Sequence, residues 1–225
     1  MTTLEILLKN TQDVKVIDAS IDYKNYTPLD LSSSNTDLSK LDLGNAIAFE
    51  DYIENHLSLN HAKVAYGGYI EERNLYKRSA NFNDANVDER NIHIGLDLWI
   101  KAGTPVLAAL DGKVHSFNNN SDIGDYGPTI ILEHNINEHT FYTLYGHLSL
   151  ESIENIKIGD SYKKGQLLAT LGDASVNGDY SPHLHFQIIK NIGEKSGDYP
   201  GVCSKKELDY YLDNCPDPNF LVKIE

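Results

Sequence analysis

The chain has 225 residues, 40% of them hydrophobic, which suits one medium domain with extensions or two small ones. Nineteen Lys and Arg against 33 Asp and Glu give a net charge of −14, and that excess of acid disfavours nucleic acid and anionic membrane surfaces as partners. No apolar run reaches the roughly 18 residues of a membrane span, and two cysteines exclude a disulfide-rich scaffold or a four-cysteine metal site.

The amino terminus, MTTLEILLKNTQDVKVIDAS, does not read as a secretory signal, because Glu5 interrupts the positive region and no cleavage site follows an apolar block. Three routes stay open: action in the cytoplasm, export by another path, or a leader already removed. Residues 1–65 read as an N-terminal extension. In it, Ser32–Thr36 is a polar loop, and Phe49, Tyr52, Ile53 and Leu57 fall at the spacing of an amphipathic helix that Asn45 can cap.

Over residues 66–192 the texture changes to short β-rich runs at 105–109, 113–117, 129–133, 140–145, 166–171 and 184–189, separated by Gly and Asp turns. Regular spacing of this kind predicts a mainly β domain with an antiparallel core. No phosphate-cradling glycine motif and no long alternation of helices and strands is present, which disfavours nucleotide folds. Residues 193–225 read as a C-terminal extension with a short helix. Ser204 and Glu207 have the capping-box form, Leu208, Tyr211 and Leu212 follow at helical spacing, and Pro216 stops the run. A straight helix of ~11 residues would hold Cys203 and Cys215 roughly 16 Å apart, too far for a disulfide.

Nine histidines stand out in so acidic a chain. In Ile92-His93-Ile94-Gly95-Leu96-Asp97-Leu98, polar and apolar residues alternate, which predicts a strand presenting His93 and Asp97 on one face. Pro182-His183-Leu184-His185-Phe186 repeats the pattern. Two imidazoles two apart on a strand would repel each other if charged, so the arrangement suits neutral rings around a metal, or one ligand beside one proton carrier. His93, Asp97 and His185 form a two-nitrogen, one-oxygen set of the kind that catalytic zinc uses. Spacing alone does not bring the two clusters together in space.

The stretches HIGLDLWIKAGTPVLAALDGKV, GPTIILEH, TLYGHLS, GDSYKKGQLLATLGDAS and SPHLHFQ, in that order, resemble the lysostaphin-like zinc metallopeptidases, a family of peptidoglycan-cleaving endopeptidases. The resemblance covers about residues 90–187. It implies an antiparallel sheet or sandwich of the duplicated-hybrid-motif kind with an open groove. It also implies one zinc ion per chain on His93, Asp97 and His185, with His147 and His183 as the catalytic pair and peptidoglycan, or another peptide, as substrate. Some members are held latent by an upstream asparagine on the metal, a role open to Asn81, Asn83 or Asn86. Tyr145, two residues before His147 on an expected strand, is a further groove residue that could touch substrate. His56, His61, His115, His134 and His139 have no assigned chemistry.

A non-catalytic wall-binding or activator protein is the alternative from another class; relatives of that kind lose zinc ligands, whereas all three are kept here. Gly159–Gln166 is similar to the hairpin of biotinyl and lipoyl carriers, but Met1 is the only methionine and no carrier lysine sits beside one.

Overall fold

The computed structural model describes residues 2–42, 44–74 and 88–224. Helix α1 (Thr3–Asn10) opens in a capping box between Thr2 and Glu5. Helix α2 (Ala46–Leu59) begins where its pattern predicts, with the Asn45 side chain accepting from the amides of Ile47 and Ala48 and with Phe49 and Ile53 buried.

Among the described residues the strands are β1 (Tyr26–Pro28), β2 (Val64–Gly67), β3 (Glu71–Glu72), β4 (Arg90–His93), β5 (Leu96–Trp99), β6 (Pro105–Leu107), β7 (Gly112–Asn120), β8 (Gly127–Ile136), β9 (His139–Gly146), β10 (Ser161–Tyr162), β11 (Leu167–Thr170), β12 (His183–Ile189) and β13 (Val202–Ser204). Two short helices follow, α3 (Leu208–Asn214) and α4 (Asn219–Val222). The largest sheet runs β1-β2-β5-β12-β9-β8-β7-β10, antiparallel throughout except for the parallel β1–β2 pair. A second sheet pairs β11 with β6, and a third runs β13-β4-β3. The fold is therefore mainly β and rich in antiparallel pairs.

Strand alternation gives the large sheet two different faces. Leu96, Leu98, Tyr145, Leu184 and Phe186 point into the main core, which α1 joins through Leu4 and Leu8. On the opposite face two smaller apolar clusters stand apart. One unites Trp99 with Phe49 and Ile53 of α2; the other unites Ile92, Tyr126 and Leu144 with Tyr199, Cys203 and Cys215. The leading segment thus supplies β1 to the large sheet, and the trailing one supplies β13 to the third.

Two local expectations change. The run 92–98 is two strands in two sheets, broken at Ile94-Gly95, with the Ile94 amide bonded to the Gly201 carbonyl. A Cβ on Gly95 would overlap the His185 ring, so the break lets that ring in. In the tail, the Ser204 hydroxyl bonds Glu207 but does not cap a helix; the chain turns there, and α3 starts only at Leu208. The shorter helix leaves Cys203 and Cys215 in one apolar cluster, both as buried free thiols.

His134 is fully enclosed in β8, with Nδ1 against the Asp111 carbonyl at 2.9 Å and Nε2 against Thr143 Oγ1 at 2.7 Å. Burial pushes its pKa down to about 4 from the ordinary 6.5. Between those values the unfolded chain holds the extra proton, so stability falls as pH drops through this window, by at most ~3 kcal/mol from this ring. Urea unfolding at pH 7 and pH 4.5 should show a smaller acid loss for His134→Gln than for the native chain. Equal losses would acquit this ring.

Candidate metal centre

β5 and β12 pair with His185 opposite Asp97 and His183 opposite Trp99. Alternation then sets Asp97, Trp99, His183, His185 and Gln187 on the same face of the sheet, the one between the two small clusters. His93 arrives from the end of β4. Its Nε2 lies 2.9 Å from His185 Nδ1 and 3.3 Å from Asp97 Oδ1, and the last two atoms are 3.2 Å apart. All three side chains are buried, and their ligand atoms lie within 4.8 Å of one another. The two clusters that spacing left unconnected are therefore in contact.

The protons decide what this set can hold. A neutral imidazole carries one N–H. His93 donates its own from Nδ1 to the Gly68 carbonyl at 2.9 Å, and His185 donates from Nε2 to Gln187 Oε1 at 2.9 Å. Both inward nitrogens are then bare, and they face a carboxylate oxygen. Burial lowers the His93 pKa to about 4, so this ring does not take up a second proton to relieve the clash of lone pairs. Burial by itself would raise the Asp97 carboxyl, but the Arg73 guanidinium beside it holds it well below the usual range. Three converging lone pairs with no hydrogen among them fit a divalent cation, and two imidazoles with one carboxylate suit zinc.

Arg73, missed in the sequence, is 2% exposed; it donates from Nη1 to Asp97 Oδ2 at 2.6 Å and from Nε to Glu71 Oε2 at 2.6 Å. Glu71 also accepts from the Leu31 amide, so the leading segment reaches the centre through this chain of bonds. Gly68, at φ 105°, lets its carbonyl meet His93; any Cβ there would collide with Arg73.

His147 and His183 stand beside the donor set, with ring centroids 4.1 Å apart. The His147 Nδ1–H is given to the Asn177 carbonyl and the His183 Nδ1–H to the Ser181 carbonyl, each at 2.8 Å. Each ring keeps a bare Nε2; that of His183 is 4.0 Å from Asp97 Oδ1. Burial takes the His183 pKa to about 4, and burial with the nearby His183 and His185 rings takes His147 well below its ordinary value. Trp99 stacks on His183 at 3.9 Å and holds its plane.

Tyr145 does not join this group, which corrects the expectation that it lines the groove. It is buried among the core residues beside Phe186, and its hydroxyl accepts the Ala109 amide at 2.9 Å. Strict alternation would put His147 on that core face too, but His147 sits at φ 60°, and this left-handed residue turns its ring to the other side. A tyrosine that does reach the donor set is Tyr126, whose hydroxyl is 3.4 Å from His185 Nε2 and whose sequence context reads only as a turn. Gln187 was legible, since it continues the 183, 185 alternation. Asn81, Asn83 and Asn86 lie outside the described residues. A groove of about 260 Å³ covers the centre, with Trp99, Tyr126, Tyr180 and Tyr199 among its walls.

Residues 91–197 match the family model described as Peptidase family M23. Peptidoglycan DD-endopeptidase ShyC of Vibrio cholerae serotype O1 is 33% identical over 118 residues, which is 50% of this chain and 24% of that protein. Glycyl-glycine endopeptidase ALE-1 of Staphylococcus capitis is 35% identical over 104 residues, 44% of this chain and 25% of that protein. The match thus spans about a quarter of the length of each of these two relatives. Among solved structures, the catalytic domain of the antimicrobial peptidase lysostaphin from Staphylococcus simulans aligns with a TM-score of 0.38 at 28% identity, over 54% of this chain and 80% of that one.

Proposed function

Because residues 91–197 are a domain of peptidase family M23, we propose that this chain is a zinc-dependent endopeptidase that cleaves peptide bonds in peptidoglycan stem peptides or cross-bridges. The observation that carries the reading is the pairing of two imidazoles, each with Nδ1 on a backbone carbonyl, with an adjacent set of two ring nitrogens and one carboxylate oxygen that lie within 4.8 Å of one another.

His93 Nε2, Asp97 Oδ1 and His185 Nδ1 would hold the metal. Zinc on three protein ligands would supply a Lewis acid and lower the pKa of a bound water toward ~7. The chain's own residues do the rest. His147 and His183 stay neutral at pH 7, so either Nε2 can take a proton from water and later return it to a leaving amine. Their carbonyl partners at Asn177 and Ser181 lock the Nδ1–H tautomer, and the same carbonyls favour the imidazolium while a proton is in transit. A glutamate base is not needed with two such rings in place.

ShyC, a peptidoglycan DD-endopeptidase, and ALE-1, a glycyl-glycine endopeptidase, support a wall peptide as the substrate. Purified cell wall incubated with the native chain should release peptide fragments identifiable by mass, and His185→Ala should release none. Release by both proteins, or by neither, would sink the proposal.

A further inference from the structure

The tail beyond residue 192 contributes no atom to the donor set, yet it contacts Gln187, whose side chain lies nearer to His185 Nε2, at 2.9 Å, than the Tyr126 hydroxyl at 3.4 Å. Gln187 Oε1 accepts the His185 Nε2–H at 2.9 Å. The amide nitrogen of Gln187 donates to the Pro200 carbonyl at 3.1 Å and to Cys215 Sγ at 3.3 Å. A carbonyl oxygen only accepts, so Pro200 fixes which way the amide lies. That orientation in turn fixes the proton of His185 on Nε2 and leaves Nδ1 bare toward His93 and Asp97.

Both partners are themselves held in place. Ile94 donates its amide to the Gly201 carbonyl, and Tyr69 donates its hydroxyl to the Cys215 carbonyl at 2.8 Å. Asn214 donates to the Tyr199 hydroxyl at 2.6 Å and to the Asn191 carbonyl at 2.9 Å. Gln187 and Cys215 are buried, so water does not replace these bonds.

We infer that Gln187 is a positioning residue for the metal ligand His185, and that Pro200 and Cys215 of the tail clamp its amide, so that the C-terminal segment is part of the metal centre. The inference rests on the zinc reading above. Groups behind a metal-bound histidine commonly set affinity by about 10–100-fold, and here that control is routed through residues 13 and 28 positions beyond Gln187.

The test measures zinc affinity by chelator competition on the full chain, alongside ¹⁵N–¹H spectra of His185 in metal-free protein. Gln187→Leu should bind zinc about 10–100-fold more weakly and show His185 distributed between both tautomers. Cys215→Ala should weaken binding several-fold, and Cys215→Ser, which keeps an acceptor, should lie near the native value. Native affinity in Gln187→Leu, or a proton on Nδ1 of His185 in the native metal-free chain, would overturn the inference. So would equal affinities for the two Cys215 variants. A native chain that binds no zinc would defeat the functional reading instead, and the tautomer spectrum would still decide this one.

Discussion

Alanine at His147 or at His183 is expected to lower peptide hydrolysis by roughly 10²–10⁴-fold, the range for loss of a general acid or base, with one zinc per chain retained. Alanine at His93 or Asp97 should remove zinc and activity together. The contrast follows from where the bare nitrogens lie. His93 Nε2 converges with Asp97 Oδ1 and His185 Nδ1, whereas His147 and His183 border that set with their Nδ1–H groups tied to backbone carbonyls. Metal content by elemental analysis and turnover on a wall peptide, measured on the same preparations, separate the two classes. Loss of zinc in His147→Ala and His183→Ala would show that these rings bind the metal and do not serve the reaction from beside it.

Arg73→Met should destabilise the metal-free protein by about 3–5 kcal/mol, the cost of stranding one partner of a buried ion pair. Arg73 is enclosed and answers two carboxylates, Asp97 and Glu71, so its removal leaves buried negative charge without its partner. With zinc bound, the metal compensates the Asp97 charge, and the loss should be smaller. Urea unfolding with and without zinc tests both halves. Unchanged stability in the metal-free variant would mean that Asp97 takes up a proton once the guanidinium is gone.

Features set by neighbours in the chain were legible from residues alone. The Asn45 cap and the Phe49–Ile53 stripe define α2 within a few residues, and the HxH alternation on β12 gives the face of His183, His185 and Gln187 directly. The donor set was readable as chemistry, although its assembly depends on pairing β5 with β12, which no local pattern specifies. Tyr145 shows the limit of alternation, for one left-handed residue at His147 reverses the face that a period of two assigns. Arg73 carried no signal, because its burial comes from Asp97, Glu71 and the Gly68 turn meeting it in three dimensions. The Ser204–Glu207 pair misled for a related reason: the two side chains bond as a capping box does, but the chain turns there and the helix begins later.

The register that places His185 across from Asp97 also sets a timetable for synthesis. Those residues are 88 positions apart, and His93 lies 92 before His185. At about 5–20 residues per second, roughly 4–18 s pass between the making of Asp97 and of His185. Non-local strand pairing of this kind forms late, after the loop between the partners has been closed. A nascent chain therefore carries separate histidines but no assembled donor set, which forms only when β12 enters the sheet beside β5.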